Sequence, residues 1–114
     1  MQTSQSETKL INRVSKYKEP FRSIGLKLHE TIMKTRPELQ PSSMYGMPAY
    51  RDPNTKKLVC FFRHDEYVTF GLLEDAVFEF DDQNQMIPTS WFIKVFNDTV
   101  KKNIVSILEK HIQK

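Results

Sequence analysis

Apolar residues recur at helical spacing through the first third of the chain. Leu10, Ile11, Val14 and Tyr17 fall on one side of a helix, which predicts a short amphipathic helix over residues 5–17. Ser4-Gln5-Ser6-Glu7 opens it as a capping box, where a serine and the acid three positions on satisfy amides left unpaired by the first turn. Lys18-Glu19-Pro20 interrupts the pattern, and Pro20 suits the first position of a second helix. There Phe21, Ile24, Leu28 and Ile32 build one apolar stripe, with Lys27, Glu30 and Lys34 largely on its outer side. Pro37 ends it, because the residue before a proline is pushed out of the α region.

From Pro41 the period shortens to that of strands. Ser43 to Tyr50 predicts one strand, with Met47 extended before Pro48. Pro48 cannot donate to a sheet ladder, so it belongs at an edge or a bulge. Asp52-Pro53-Asn54-Thr55 is a turn signal, and Leu58 to Phe62 is an unbroken apolar run that predicts a strand covered on both faces. His64-Asp65-Glu66 reads as the next turn. Tyr67 to Leu72 alternates, placing Val68, Phe70 and Leu72 on one face. Val77 to Phe80 predicts a short fourth strand ahead of a polar turn at Asp81-Asp82-Gln83-Asn84, and Trp91 to Phe96 a last strand. Asn97 or Asp98 caps a closing helix striped by Ile104, Ile107, Leu108 and Ile112. Two helices, a meander of four to five strands and a helix predict an α+β fold: an antiparallel sheet with helices mainly on one face. No repeat or linker divides residues 1–114, so a single domain is expected.

Composition supports a conventional core. Eight Phe, four Tyr and one Trp supply bulk, and three Gly argue against a loop-rich chain. Cys60 is the lone cysteine, which excludes an intramolecular disulfide and suits a reducing compartment. No apolar stretch approaches the roughly 18 residues that span a bilayer, and residues 1–7 lack the apolar core of a signal peptide. The expectation is a cytoplasmic protein without a membrane role.

Net charge is +3, unevenly distributed. Residues 1–36 carry eight Lys or Arg against three Glu, residues 37–90 four against nine acids, and residues 91–114 five Lys against Asp98 and Glu109. Either basic helices face an acidic sheet edge as a solvated mixture, or the acidic middle attracts cations or a basic partner.

Catalytic signatures are missing. Gly25, Gly46 and Gly71 are isolated, so there is no phosphate loop, and Cys60 has no second cysteine for a zinc or redox pair. The stretch from Asp82 to Met86 starts like a calcium loop but lacks its glycine and later acid. Lys57 to Phe62 lacks the glycines of an RNA-binding strand. Cys60 and His64 lie four residues apart across a strand end and would not meet. Cys60 reads as a core thiol, and His29 and His111 as surface residues. With no nucleophile, base and orienting group to place together, the chain is expected not to be an enzyme.

Two constellations remain. Asp65, Glu66, Glu74 and Asp75, with Glu79, Asp81 and Asp82 beyond, are hard oxygen ligands that suit divalent metals including ferrous iron, or are simply solvated turns. Tyr45, Gly46, Met47 and Pro48 mark a bulge or close backbone approach, and with Phe61 or Phe62 and Tyr67 could line an aromatic groove on an open sheet face. The alternative is a structural bulge packed by its own aromatics.

Pro37-Glu38, Tyr45 to Tyr50, Leu58 to Phe62 and Tyr67 to Gly71 resemble the YdhG-like family of small bacterial and archaeal proteins, over about residues 5–75. The most specific element is Tyr45-Gly46-Met47-Pro48-Ala49-Tyr50. Some family members are described as frataxin-like intracellular iron chaperones. The resemblance thus implies a non-enzymatic module that binds iron and hands it to an accepting protein. The alternative is an interaction or regulatory domain that docks an acidic protein or, with less support, a nucleic acid. It predicts that Lys9, Arg13, Lys16, Lys27 and Lys34 share one exposed face.

Overall fold

The Ser4 hydroxyl accepts the Glu7 amide at 3.0 Å and starts α1 (Gln5–Ser15), whose Leu10 and Val14 are buried. This computed structural model describes residues 4–76, 83 and 85–112. The helix stops two residues short of the predicted end, with Lys16 as its C-cap and Tyr17 half-buried beyond it. Helix α2 (Phe21–Thr35) follows, with Pro20 at the N-cap position rather than inside the helix. Proline offers no capping side chain, and Glu19 substitutes for it. Its carboxylate accepts the Ser23 amide at 2.9 Å and the Ser23 hydroxyl at 2.8 Å, which holds its pKa below the ordinary value.

The predicted strand from Ser43 to Tyr50 is instead a hairpin. Strands β1 (Gln40–Met44) and β2 (Met47–Arg51) pair antiparallel around Tyr45 and Gly46, whose φ values are +50° and +81°. Positive φ at both central residues is the signature of the two-residue turn whose twist matches paired strands. Read as one extended segment, Tyr-Gly looked like a bulge; the chain reverses there instead. The actual irregularity lies at Tyr50/Arg51, where the β2–β3 register shifts past Val59. Met44 and Met47 close the turn as a hydrogen-bonded pair, so Pro48 opposite Ser43 owes β1 no donor. Its missing N–H falls on the β3 side, where pairing begins one residue later, at Ala49.

Strands β3 (Leu58–His64), β4 (Val68–Leu72) and β5 (Ser90–Ile93) complete a five-stranded antiparallel meander in the order β1-β2-β3-β4-β5. The Asp52 carboxylate accepts the Asn54 and Thr55 amides and shapes the β2–β3 turn, as the sequence predicts. The last strand ends at Ile93, three residues before Phe96. The predicted strand Val77–Phe80 and most of the turn after it lie outside the described residues. Helix α3 (Asp98–His111) starts from Asn97, whose side chain accepts the Val100 amide at 2.9 Å. The buried Arg36 donates to the carbonyls of Leu108 and Glu109, closing the far end of α3.

The ladders sort the strand residues by face. Tyr50, Cys60 and Leu72 lie in line, as do Phe62, Phe70 and Trp91, and His64, Val68 and Ile93. This side meets the helices and, with Val14, Leu28, Ile32 and Leu108, forms the core. The opposite side carries Ala49, Phe61, Gly71, Thr69 and Phe92. A Cβ on Gly71 would stand 2.5 Å from the Phe61 ring, so the glycine lets that ring lie flat on the sheet. The α+β arrangement with helices on one face is therefore the one the periodicity predicts. No described helix is long and apolar enough to cross a membrane.

Candidate functional site

The structure scatters the candidate ligand-binding residues. Tyr45 is 97% exposed at the hairpin tip, whereas Phe62 is fully buried on the helix side of the sheet. Pro48, also fully buried, borders a polar cleft between α1 and β1. Tyr67 stands on the open side, its ring stacked on Phe92 at 5.4 Å. These residues do not close one groove, because the hairpin turns the Tyr45–Pro48 motif back on itself and alternation sends Phe62 and Tyr67 to opposite faces.

The candidate metal ligands divide in the same way. Asp65 and Glu66 occupy the β3–β4 turn, and Glu74 and Asp75 follow the other end of β4, roughly 17 Å of strand away. Asp65 pairs with Arg63 at 2.9 Å and Asp75 with Lys57 at 3.6 Å. Glu74 and Asp75 lie among Arg51, Lys56 and Lys57. Among the described residues, no three His, Cys, Asp or Glu side chains gather to hold a metal ion. Glu79, Asp81 and Asp82 lie outside those residues.

Both helical histidines assigned to the surface are buried. His29 bonds the Tyr50 hydroxyl through Nδ1 at 2.6 Å and the Glu7 carboxylate through Nε2 at 2.7 Å. An ionised carboxylate only accepts, so Nε2 carries the proton, and in the neutral ring Nδ1 accepts from tyrosine. Glu7, half of the expected capping box, therefore turns its carboxylate toward His29. Acid, imidazole and hydroxyl stand in the order of a catalytic relay, but Tyr50 is fully buried and no substrate can reach its oxygen. Burial, then the neighbouring Cys60 and Glu7, push the Tyr50 pKa well above the tyrosine range. Cys60 is fully buried and burial raises its pKa too, so it is a core thiol. His64 packs against Tyr17 and Phe21 on the helix side and does not serve Cys60. The Glu7–His29–Tyr50 chain ties α1, α2 and β2 together. Its one sequence signal is His29 one residue from Leu28 on the buried stripe.

An apolar concavity lies elsewhere, between β5 and α3. It has a volume of about 550 Å³ and is walled by Trp91, Val95, Val100, Ile104 and Ile107, with Lys94 as the charged residue in its lining. At its mouth Phe92 is 68% and Val95 56% exposed. Asn103 and Ser106 add the polar groups. β5 is a terminal strand of the sheet, paired only with β4 among the described residues. The sequence showed its parts as a strand followed by a striped helix, but not that they part to leave a groove.

The fold and this groove define a small α+β domain with a meander sheet, helices on one face and an apolar cleft at the sheet's end. No protein-family model, curated protein or solved structure matches the chain.

Proposed function

We propose that the chain is a non-enzymatic binding domain that seats an acidic peptide bearing apolar side chains in the groove between β5 and α3. The observation that carries this reading is the pairing of exposed Phe92 and Val95 with an apolar cleft whose one charge among the described lining residues is Lys94. Large apolar side chains grouped around a concavity mark an interaction site more often than singly exposed ones do. Residues 91–114 hold five Lys against two acids, which favours a carboxylate-bearing partner and speeds its encounter. An extended peptide would meet β5 at the sheet's end, with alternate side chains entering the cleft.

The partner class is the one the sequence raises as its alternative, moved to the other end of the chain. Lys9, Arg13 and Lys16 follow one another along exposed α1, but Lys27 lies beside Asp98 and Lys101 of α3. An iron role rests on the YdhG-like resemblance and, among the described carboxylates, would have to use those of one turn alone.

Trp91 is the single tryptophan and lines the groove, so its emission reports occupancy. A peptide alternating Asp or Glu with Leu or Phe should shift that emission saturably. Lys94→Glu should weaken the peptide about tenfold, in line with loss and reversal of one charge contact, and Val95→Asp should abolish binding. An emission unchanged at millimolar peptide would refute the reading.

A further inference from the structure

A second concavity, of about 170 Å³, lies between α1 and the β1–β2 hairpin, lined by Ser6, Lys9, Leu10, Arg13, Ser42, Ser43 and Pro48. Its chemistry is unlike that of the groove. Two cations and the hydroxyls of Ser6 and Ser43 line it, Ser42 turning its own hydroxyl to Arg51 on the open side of the sheet, and no carboxylate is among its lining residues. Lys9 and Arg13 stand four apart on α1, so their side chains reach the same side of the helix. Neither forms an ion pair with the described acids. The nearest acid in sequence, Glu7, is held by His29. Arg13 reaches over the hairpin to donate to the Gly46 carbonyl through Nη1, which fixes its guanidinium at the cleft while its other N–H groups remain donors.

The strand adds a donor that the lining residues alone do not reveal. Met44 and Met47 close the turn as a hydrogen-bonded pair, and Ser43 opposite Pro48 is then a non-bonded pair. The Ser43 amide therefore points away from β2. β1 is the other terminal strand of the sheet and packs against α1. Backbone amide, hydroxyls, ammonium and guanidinium converging on a small cleft match the oxygens of a phosphoryl dianion.

We propose that this cleft binds a phosphoryl dianion, either inorganic phosphate or the terminal group of a small phosphate monoester. The site is separate from the β5–α3 groove and stands or falls independently of it. Lys9 supplies the mobile charge, Arg13 the fixed planar donor, and the Ser43 hydroxyl and amide the strand-side contacts.

Amide spectra of the full chain, titrated with inorganic phosphate and with phenyl phosphate at constant ionic strength, test this. Saturable shifts are expected at Ser6, Lys9, Ser42 and Ser43, and whichever compound produces them identifies the source of the phosphoryl group. Lys9→Gln should weaken binding about tenfold or more, the size of one charge-assisted contact, whereas Lys34→Gln, on the exposed side of α2, should leave it unchanged. Both residues are exposed, so both variants should fold. Shifts reproduced by chloride, non-saturating shifts, or binding indifferent to Lys9→Gln would overturn the proposal.

Discussion

Tyr45 shows how one residue can be legible as unusual and still be misread. Its φ of +50° is costly for a bulky side chain, and its ring is 97% exposed, so no buried contact offsets the strain. Asparagine followed by glycine is the preferred pair for this turn. Tyr45→Asn should therefore stabilise the protein by about 1 kcal/mol in urea unfolding. An unchanged or lowered midpoint would mean that the tyrosine is held by contacts the fold does not show. Tyr50 is the opposite case, a strand aromatic whose buried hydroxyl is satisfied only by His29. Its pKa is raised above 10.0 in the fold, and that of Cys60 above 9.0. The unfolded chain therefore loses these protons first. The stability they contribute is complete below about pH 9 and falls as pH climbs toward their folded values. Tyr50→Phe should cost about 1–3 kcal/mol at neutral pH by leaving the buried Nδ1 of His29 unpaired, and should flatten the alkaline loss. Equal alkaline sensitivity of both proteins in circular dichroism would contradict this.

At the scale of elements, periodicity carried most of the fold. The stripes Phe21-Ile24-Leu28-Ile32 and Ile104-Ile107-Leu108-Ile112 located two helices, and Val68-Phe70-Leu72 the buried face of β4. The hairpin escaped because Ser42, Ser43, Met44 and Met47 do not alternate clearly, and because Tyr-Gly is a rarer turn pair than Asn-Gly. That error carried into the candidate site. One long strand would have pointed Tyr45 and Met47 along a single face, but the reversal puts Tyr45 at a tip and Pro48 beside the α1 cleft. His29 was missed for a different reason. A histidine beside an apolar stripe can face either way, and only tertiary partners, here Glu7 and Tyr50, decide it.

Across the whole molecule, charge and apolar surface fall in different places. Of the acids in the middle of the chain, Asp65 and Glu66 sit at one end of β4 and Glu74 and Asp75 beyond the other, with Asp65 paired to Arg63 and Asp75 to Lys57. Lys94 lines the apolar cleft between β5 and α3, and no described acid is in that lining. Net charge by segment was readable from the sequence. The separation of those charges in space was not, because it depends on strand order and on which side of the sheet the helices cover. It is this separation that makes the β5–α3 groove, rather than the acidic turns or the basic α1, the centre of the account. The most direct test is an amide map of the full chain titrated in parallel with an acidic, leucine-bearing peptide and, anaerobically, with ferrous iron. The account predicts saturable peptide shifts confined to Trp91–Val95 and Val100–Ile107, with no specific response to iron. Localised broadening by iron at Asp65 and Glu66 or at Glu74 and Asp75, or peptide shifts centred on Lys9, Arg13 and Lys16, would contradict it.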